Sequence, residues 1–377
     1  MKRFKQIFVI AEYLFAVIVS LFKKNTDWII SERGKEARDN GSMFFLYIKK
    51  NHPNIKCKYV IDKNHRDYKK LTEYKNDLVQ YGSFEHFLSV ASAKYLVSSH
   101  FLGCQPYSYY FATLNSKFRL FRNKKNVFLQ HGIIKDDIPM FYSENTRLDL
   151  FICGSSYEYE YVKDKFHYKN DEVKYTGLCR FDNLLDFNKK KMILIMPTWR
   201  KYIDDKHFMD SDYFCQYKEL LTNVEIQDML SDAGYTLVFY PHYEIQKHIL
   251  LFKNLDLPAH YIIASFEHDV QTLLKEASLM ITDYSSVYFD MVYMHKPVLF
   301  FQFDEIDYRK GHYKEGYFNV ESIGPKYTSL KDLSQGLYSY LSKSCQIDEK
   351  YLPYIDEMFK YRDKNNCQRV FDEIVKL

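Results

Sequence analysis

The segment Leu279-Met-Ile-Thr-Asp-Tyr-Ser-Ser-Val-Tyr-Phe-Asp290 carries the strongest chemical signal in the chain. A buried strand is expected to end at Thr282, and a helix to open at Ser285 or Ser286 with Asp283 or a serine as its N-cap. Free N–H groups and the positive end of the helix dipole favour phosphate at such an opening. The two adjacent hydroxyls add donors. An ordinary capped helix is the plainer account of a bare D-x-S-S pattern. The next run, Lys296–Asp304 (KPVLFFQFD), completes a βαβ unit and gives the phosphate reading its force.

Two histidines also stand where strands should end. In Val127-Phe-Leu-Gln-His-Gly-Ile-Ile-Lys-Asp-Asp137 a strand delivers His131, and Gly132 permits close backbone approach. In Thr236-Leu-Val-Phe-Tyr-Pro-His-Tyr-Glu244 another delivers His242. A strand-end imidazole can serve as a general base near neutral pH, or as a structural hydrogen-bonding group, which is the commoner case. Met192–Arg200 (MILIMPTWR) leaves Thr198 and Arg200 beyond its strand. Beside a diphosphate an arginine is a bidentate partner; otherwise it is simply solvated. The loop Ile30–Asn40 (ISERGKEARDN) is either a site for an anionic acceptor or a hydrated connection. In Thr176–Asp182 (TGLCRFD), Arg180 and Asp182 are expected to pair and fix a domain junction.

No G-x-x-x-x-G-K-[ST] or G-x-G-x-x-G run occurs, which weakens P-loop and dinucleotide-binding readings. Asp210-Ser-Asp212 has the D-x-D form of metal-dependent sugar transferases, but no strand precedes it and it reads as a solvated loop.

The elements that must position these groups alternate. Strands are expected at Trp28–Ser31, Lys58–Ile61, Leu78–Tyr81, Tyr95–Ser98, Val127–Gln130, Leu148–Cys153 and Val173–Gly177. A second series follows at Met192–Met196, Leu237–Tyr240, Tyr261–Ala264, Leu279–Thr282 and Val298–Phe301. Helical patterns cover Asp39–Lys50, Tyr213–Asp232, Leu330–Ser342 and Pro353–Val375. Strands separated by helices mean βαβ units and mostly parallel sheets, with ligands beyond the carboxyl ends of the strands. The polar run Asp186–Lys191 reads as a linker between two doubly wound α/β halves. The expected fold is thus α/β, with two Rossmann-like domains facing across a cleft. Its divisions are an apolar helix (residues 1–26), an acceptor-side domain (27–187), a donor-binding domain (188–350) and a C-terminal segment (351–377) packing back on the first domain.

The 377 residues suit two domains. With 53 basic and 49 acidic residues the net charge is +4, and no basic stripe appears, so nucleic acid is a poorly supported partner. The seven cysteines are widely spaced without a C-x-x-C, which argues against a disulfide framework or zinc ribbon and for reduced thiols. The 35 Tyr and 30 Phe accompany much Lys and Asn and are given no functional weight.

Ile7 to Phe22 is almost unbroken apolar sequence, with Lys2, Arg3 and Lys5 before it and Lys23 and Lys24 after. It is shorter than a spanning helix and contains Glu12. No A-x-A-like site follows, so a secretory signal fits poorly. Two readings stand: a helix lying against the cytoplasmic leaflet, or a core helix opening a domain.

At these residues the sequence resembles the CDP-glycerol glycerophosphotransferase family, enzymes that build teichoic acids and related capsular polymers. The resemblance rests on several blocks in the family's order across about residues 27–340. They are Ser31–Asn40, His131-Gly132, Pro197-Thr198-Trp199-Arg200, His242, Thr282-Asp-Tyr-Ser-Ser286 with Lys296–Phe303 and Tyr308-Arg309, and Tyr317–Pro325. It departs where the polymerases have Thr-Pro after His-Gly (here Ile133-Ile134), in Tyr240-Pro-His-Tyr243, and in Gly177-Leu-Cys-Arg180. The resemblance implies a GT-B-like fold without metal or cofactor. It implies His131 as base and His242 on the donor phosphate, with Thr198, Arg200, Asp283, Ser285 and Ser286 around the donor. Arg33, Gly34, Arg38, Asn40, Lys135 and Asp136 are the corresponding acceptor-side expectation. The implied donor is CDP-glycerol or CDP-ribitol. The implied acceptor is a lipid-linked or oligosaccharide hydroxyl at the cytoplasmic face of the membrane. A GT-B glycosyltransferase using a CMP- or UDP-sugar, and a non-catalytic membrane-associated assembly partner, are the alternatives.

Overall fold

The computed structural model describes residues 2–22, 27–108, 110–111, 123–169 and 171–377. The chain forms two compact units: Met1–Ile133, Pro139–Asn183 and Asp363–Leu377 make unit 1, and Ile134–Ile138 with Leu184–Arg362 make unit 2.

Unit 1 is built on β1 (Trp28–Ser31), β2 (Cys57–Ile61), β3 (Leu78–Gln80), β4 (Tyr95–Ser98) and β5 (Lys125–Phe128). After β6 (Asp136–Asp137), which lies in unit 2, come β7 (Leu150–Cys153) and β8 (Val173–Tyr175). The sheet order is β3-β2-β1-β4-β5-β7-β8 and every pairing is parallel. A parallel sheet covered on both faces demands apolar side chains in both directions. That is why β1, β4 and β7 are buried at every position.

Unit 2 repeats the scheme with β9 (Met192–Met196), β10 (Thr236–Phe239), β11 (Tyr261–Ile263), β12 (Leu279–Thr282), β13 (Val298–Phe301), β14 (Lys314–Glu315) and β15 (Lys326–Tyr327). The order is β11-β10-β9-β12-β13-β15, again parallel. The short β14 pairs antiparallel with β6 in a separate ribbon. Gly316 is needed beside it, because a Cβ there would come within 2.4 Å of the Lys135 carbonyl oxygen.

Both sheets reverse direction once. In unit 1 the reversal falls between β1 and β4, and in unit 2 between β9 and β12. The loops leaving such a strand pair diverge and open a crevice at the carboxyl ends.

The first helix, α1 (Lys2–Ser20), packs Val9, Tyr13 and Ala16 into unit 1, against α3 (Phe84–Ser92). Its other face leaves Ile7, Phe8, Leu14, Phe15 and Ile18 exposed. Both stripes follow helical spacing, so this helix is apolar nearly all round. No helix among the described residues is long and apolar enough to cross a membrane. Lys23 and Lys24, and the side chains of Lys2, Arg3 and Lys5, lie outside what is described.

Helix α2 (Asn40–Asn51) starts from the Asp39 N-cap. The continuous helix expected over Tyr213–Asp232 is two helices, Asp212–Thr222 and Val224–Ala233. Asn223 breaks it by taking an extended conformation and capping the second helix. The C-terminal pattern likewise divides into Leu352–Met358, in unit 2, and Asn366–Val375, in unit 1. The Asp210-Ser-Asp212 run is solvated as expected, both aspartates being exposed, but it is a helix start rather than a loop, because Ser211 caps the helix that Asp212 begins. All seven cysteines are free.

Candidate functional site

In unit 1 the chemistry gathers at the reversal between β1 and β4. The loop after β1 is organised around Glu32, which is fully buried. Its carboxylate accepts from the backbone N–H of Arg38, Asp39 (2.9 Å) and Ser42 (3.0 Å). Burial and the nearby Asp39 charge push the Glu32 pKa up, and these N–H donors oppose the rise. Gly34, at φ +76°, lies against the Tyr81 ring, where a Cβ would come within 2.1 Å of it. Arg33 is exposed. Arg38 is bound to Asp67, its Nε 2.9 Å and its Nη2 2.8 Å from Oδ2. Asn40 is buried, donating to the Gln130 carbonyl (2.7 Å) and accepting from the Arg180 N–H (2.9 Å).

His131 sits just beyond β5, the neighbour of β4, and its side chain is 58% exposed. Gln130 before it takes φ +64°, an uncommon left-handed conformation. The Gln130 amide donates to Glu158 at 2.7 Å, which anchors this turn. Nδ1 of His131 lies 3.7 Å from Asp39 Oδ2. Arg180 Nη1 donates both to Asp39 Oδ1 (3.0 Å) and to the His131 carbonyl (2.8 Å). Burial raises the Asp39 pKa, but His131 and Arg180 outweigh it and leave the carboxyl below its ordinary value. The His100 ring lies 4.8 Å from that of His131. Burial, with the charges of His131 and Arg33, holds its pKa down to about 3, so it is neutral at pH 7.

Asp39, His100 and His131 each offer one ligand atom, all within 4.8 Å of one another. Of the Asp39 oxygens, Oδ1 is already held by the Arg180 guanidinium, and Oδ2 faces His131. Arg180 and Asp182 do not form the expected pair. Asp182 instead accepts from the backbone N–H groups of Asn366 and Cys367, at 2.8 and 2.9 Å, so it anchors the last helix within unit 1.

In unit 2 the corresponding reversal places the loops after β9 and β12 side by side. Arg200 is fully buried between two carboxylates. It is bidentate to Asp304 at 2.6 and 3.0 Å, and its Nη1 reaches Asp283 Oδ2 at 2.9 Å. Asp283, also fully buried, takes the Thr198 N–H (2.8 Å) and the Tyr217 hydroxyl (3.1 Å). Tyr284, Tyr308 and Tyr213 surround the guanidinium at 4.9–5.4 Å. Arg200 and Asp283 therefore tie the two loops together, and their charged atoms face each other rather than solvent.

Ser285 and Ser286 lie at the mouth of these loops, both partly buried. The helix behind them starts at Tyr288, later than expected, and spans only Tyr288–Tyr293. The backbone from Ser285 to Asp290 turns first through i→i+3 bonds. Among the described donors here, the serine hydroxyls rather than a long helix dipole are what an anion would meet.

His242 follows β10, the neighbour of β9, and caps the turn Tyr243–His248. Its Nδ1 accepts the Glu244 N–H at 3.2 Å, so a neutral ring carries its proton on Nε2. The ring stacks on Trp199 at 6.1 Å, and Trp199 meets His312 edge-on at 5.8 Å. Lys135 and Asp136 lie in unit 2, both largely buried. Lys135 Nζ is 2.5 Å from Asp136 Oδ2, and Arg309 Nη1 is 2.8 Å from Oδ1. Burial lowers the Lys135 pKa and Asp136 opposes the fall.

Sequence reasoning passed over four of these groups. Asp39 carried a signal as the N-cap before an apolar run, and His100 carried the same strand-end signal as His131. Glu32 and Asp304 stood in quoted segments with nothing local to mark them.

Two parallel α/β sheets, each with one reversal in strand order, place this chain in the class of doubly wound α/β proteins by fold. The chain belongs to the family described as CDP-Glycerol:Poly(glycerophosphate) glycerophosphotransferase, which matches residues 12–376. It is 29% identical over 382 residues to the minor teichoic acid biosynthesis protein GgaB of Bacillus subtilis (strain 168), across 96% of this chain and 41% of that one. With a teichoic acid poly(glycerol phosphate) polymerase of Bacillus spizizenii it shares 24% identity over 405 residues, covering 95% of this chain and 94% of the relative. The chain spans about half the length of the first curated relatives it matches. Its fold is similar to that of a wall teichoic acid polymerase TagF variant soaked with CDPG, with TM-score 0.69, 21% identity, and coverage of 100% of this chain and 95% of that one.

Proposed function

We propose that the protein transfers glycerol phosphate, or ribitol phosphate, from its CDP derivative to a hydroxyl of a lipid-linked or glycan acceptor and releases CMP. Membership of the family supports the donor class. The observation that carries the chemistry is His131, an exposed imidazole at the carboxyl edge of a parallel sheet, set against an ionised carboxylate.

In this reading unit 2 holds the donor and unit 1 the acceptor, the division of labour of a GT-B-type enzyme. The acceptor hydroxyl gives its proton to His131 Nε2 as its oxygen attacks the phosphorus that carries the polyol. The bond from that phosphorus to the bridging oxygen breaks, and CMP leaves with the electron pair. Ser285, Ser286 and the Thr198 region hold the diphosphate, and His242 donates from Nε2–H to the oxygen that gains charge. Arg200 and Asp283 act from behind by fixing the two loops. Phosphoryl transfer asks a protein chiefly for positioning and charge stabilisation. On the acceptor side Arg33 meets an anionic group, while Gly34, Arg38 and Asn40 shape its loop. Lys135, Asp136 and Arg309 form a support within unit 2. The exposed stripe of α1 rests on the cytoplasmic face of the membrane, where a lipid-linked acceptor is found.

The test is a donor panel (CDP-glycerol, CDP-ribitol, a CMP-sugar, a UDP-sugar) on a synthetic lipid-linked acceptor, with nucleotide release and product mass measured for wild type and His131→Ala. The expected result is CMP release from a CDP-polyol, abolished in His131→Ala while CDP-glycerol binding stays nearly intact. Full turnover by that variant removes the base assignment, and release from a nucleotide sugar alone removes the donor.

A further inference from the structure

Asp39 does more than begin a helix. Its backbone N–H is fixed on Glu32 at 2.9 Å, and its Oδ1 is occupied by the Asn40 N–H (2.8 Å) and Arg180 (3.0 Å). Oδ2 faces His131 Nδ1 at 3.7 Å. The same Arg180 nitrogen that holds Oδ1 also holds the His131 carbonyl, at 2.8 Å. Asn40 ties the carbonyl of Gln130, immediately before His131, to the opening of α2. Carboxylate and imidazole are thus referenced to one guanidinium and one helix start, although they stand 92 positions apart in sequence.

We propose that Asp39 is the positioning residue for His131, holding the Nδ1–H edge of the ring so that Nε2 presents its lone pair to the acceptor hydroxyl. The proposal rests on the reading of His131 as the base. A separation of 3.7 Å is ion-pair reach rather than a hydrogen bond, and base–orienter contacts commonly tighten only when substrate is bound. The other charged or titratable groups facing this pair are Arg180, His100 and Glu32, with Arg33 acting on His100. Arg180 neutralises the far oxygen, and Glu32 is spent on backbone N–H groups. Oδ2 therefore remains the oxygen directed at the imidazole. Without it, no carboxylate among the described residues selects the tautomer that leaves Nε2 unprotonated, and the new imidazolium loses its counter-charge as the proton arrives.

The test uses Asp39→Asn and Asp39→Ser, since asparagine and serine are both good N-caps and keep the start of α2. Circular dichroism and thermal unfolding confirm that each variant folds. The expected result is a fall in kcat of about 100-fold or more with the KM for CDP-glycerol unchanged. A second arm adds millimolar imidazole to His131→Ala and to His131→Ala/Asp39→Asn. Free imidazole restores turnover to the single variant, where the carboxylate can orient it, and not to the double. Wild-type kcat in Asp39→Asn, or equal rescue of the single and double variants, overturns the proposal while an inactive His131→Ala leaves the base assignment standing. A fully active His131→Ala overturns both.

Discussion

Replacing Arg200 by Met should unfold unit 2 before it weakens donor binding. The guanidinium makes four hydrogen bonds of 2.6–3.0 Å, to both oxygens of Asp304, to Asp283 and to the Thr198 carbonyl. None of its side-chain surface is exposed, and Asp283 is equally closed off. Methionine keeps much of the volume, so the dominant loss is electrostatic: two carboxylates remain in a buried site with no cation. Breaking a buried pair this way costs about 3–5 kcal/mol. At about 2–4 °C per kcal/mol for a body of this size, the transition of unit 2 should move down by roughly 6–20 °C. Differential scanning calorimetry and urea unfolding read this directly. CDP-glycerol binding measured well below the lowered transition should change much less. The double variant Arg200→Met/Asp283→Asn should recover part of the loss, because one uncompensated charge is gone. A single variant that melts with wild type but no longer binds donor would refute the reasoning and return Arg200 to the ligand.

Stability of unit 1 should fall with acidification below pH 6.5, through His100 and, more deeply buried, His86. The His86 ring is buried, and burial holds its pKa down to about 4. Its Nδ1 accepts the Gly82 N–H and its Nε2 meets the Cys104 carbonyl, an arrangement only the neutral ring can satisfy. Between pH 6.5 and 4 the unfolded chain binds the proton and the folded chain does not, so stability rises with pH across that window, by at most about 1.4 kcal/mol per pH unit for one histidine. Urea unfolding at pH 7 and pH 5 should show the drop, and His86→Gln should lessen the slope while His100 keeps its share; an unchanged slope in the variant rejects the assignment. On the membrane side, Phe8→Ser/Ile18→Ser alters two exposed positions of α1 and leaves Val9, Tyr13 and Ala16 in place. Sedimentation with anionic vesicles should show at least a tenfold loss of binding with the melting temperature unchanged, at about 1.5–3 kcal/mol per large apolar side chain withdrawn from lipid; equal sedimentation would detach this helix from any role at the bilayer.

The sheets were readable from sequence because a strand covered on both faces must be apolar at nearly every position. Trp28–Ser31, Tyr95–Ser98, Met192–Met196, Leu279–Thr282 and Val298–Phe301 stand where that rule places them. Strand ends were less sharp: β5 closes at Phe128, two residues before the expected end, because Gln130 turns into the left-handed region to present His131. Helix openings failed where turns intervene, as at Tyr288, and at Asn223, whose side chain satisfies backbone donors and divides one amphipathic pattern in two.

Local residue order by itself settled the parallel α/β class and the placing of His131, His242 and the serine pair beyond strand ends, since hydrophobic runs and turn chemistry are local properties. Only the tertiary structure decided what each charge is for. Arg200 and Asp283 stand 83 positions apart, and Asp39 and Arg180 stand 141 apart. Whether a charged side chain meets a ligand or another buried charge depends on which strands become neighbours. The sheet order fixes that, and no stretch of local sequence encodes it.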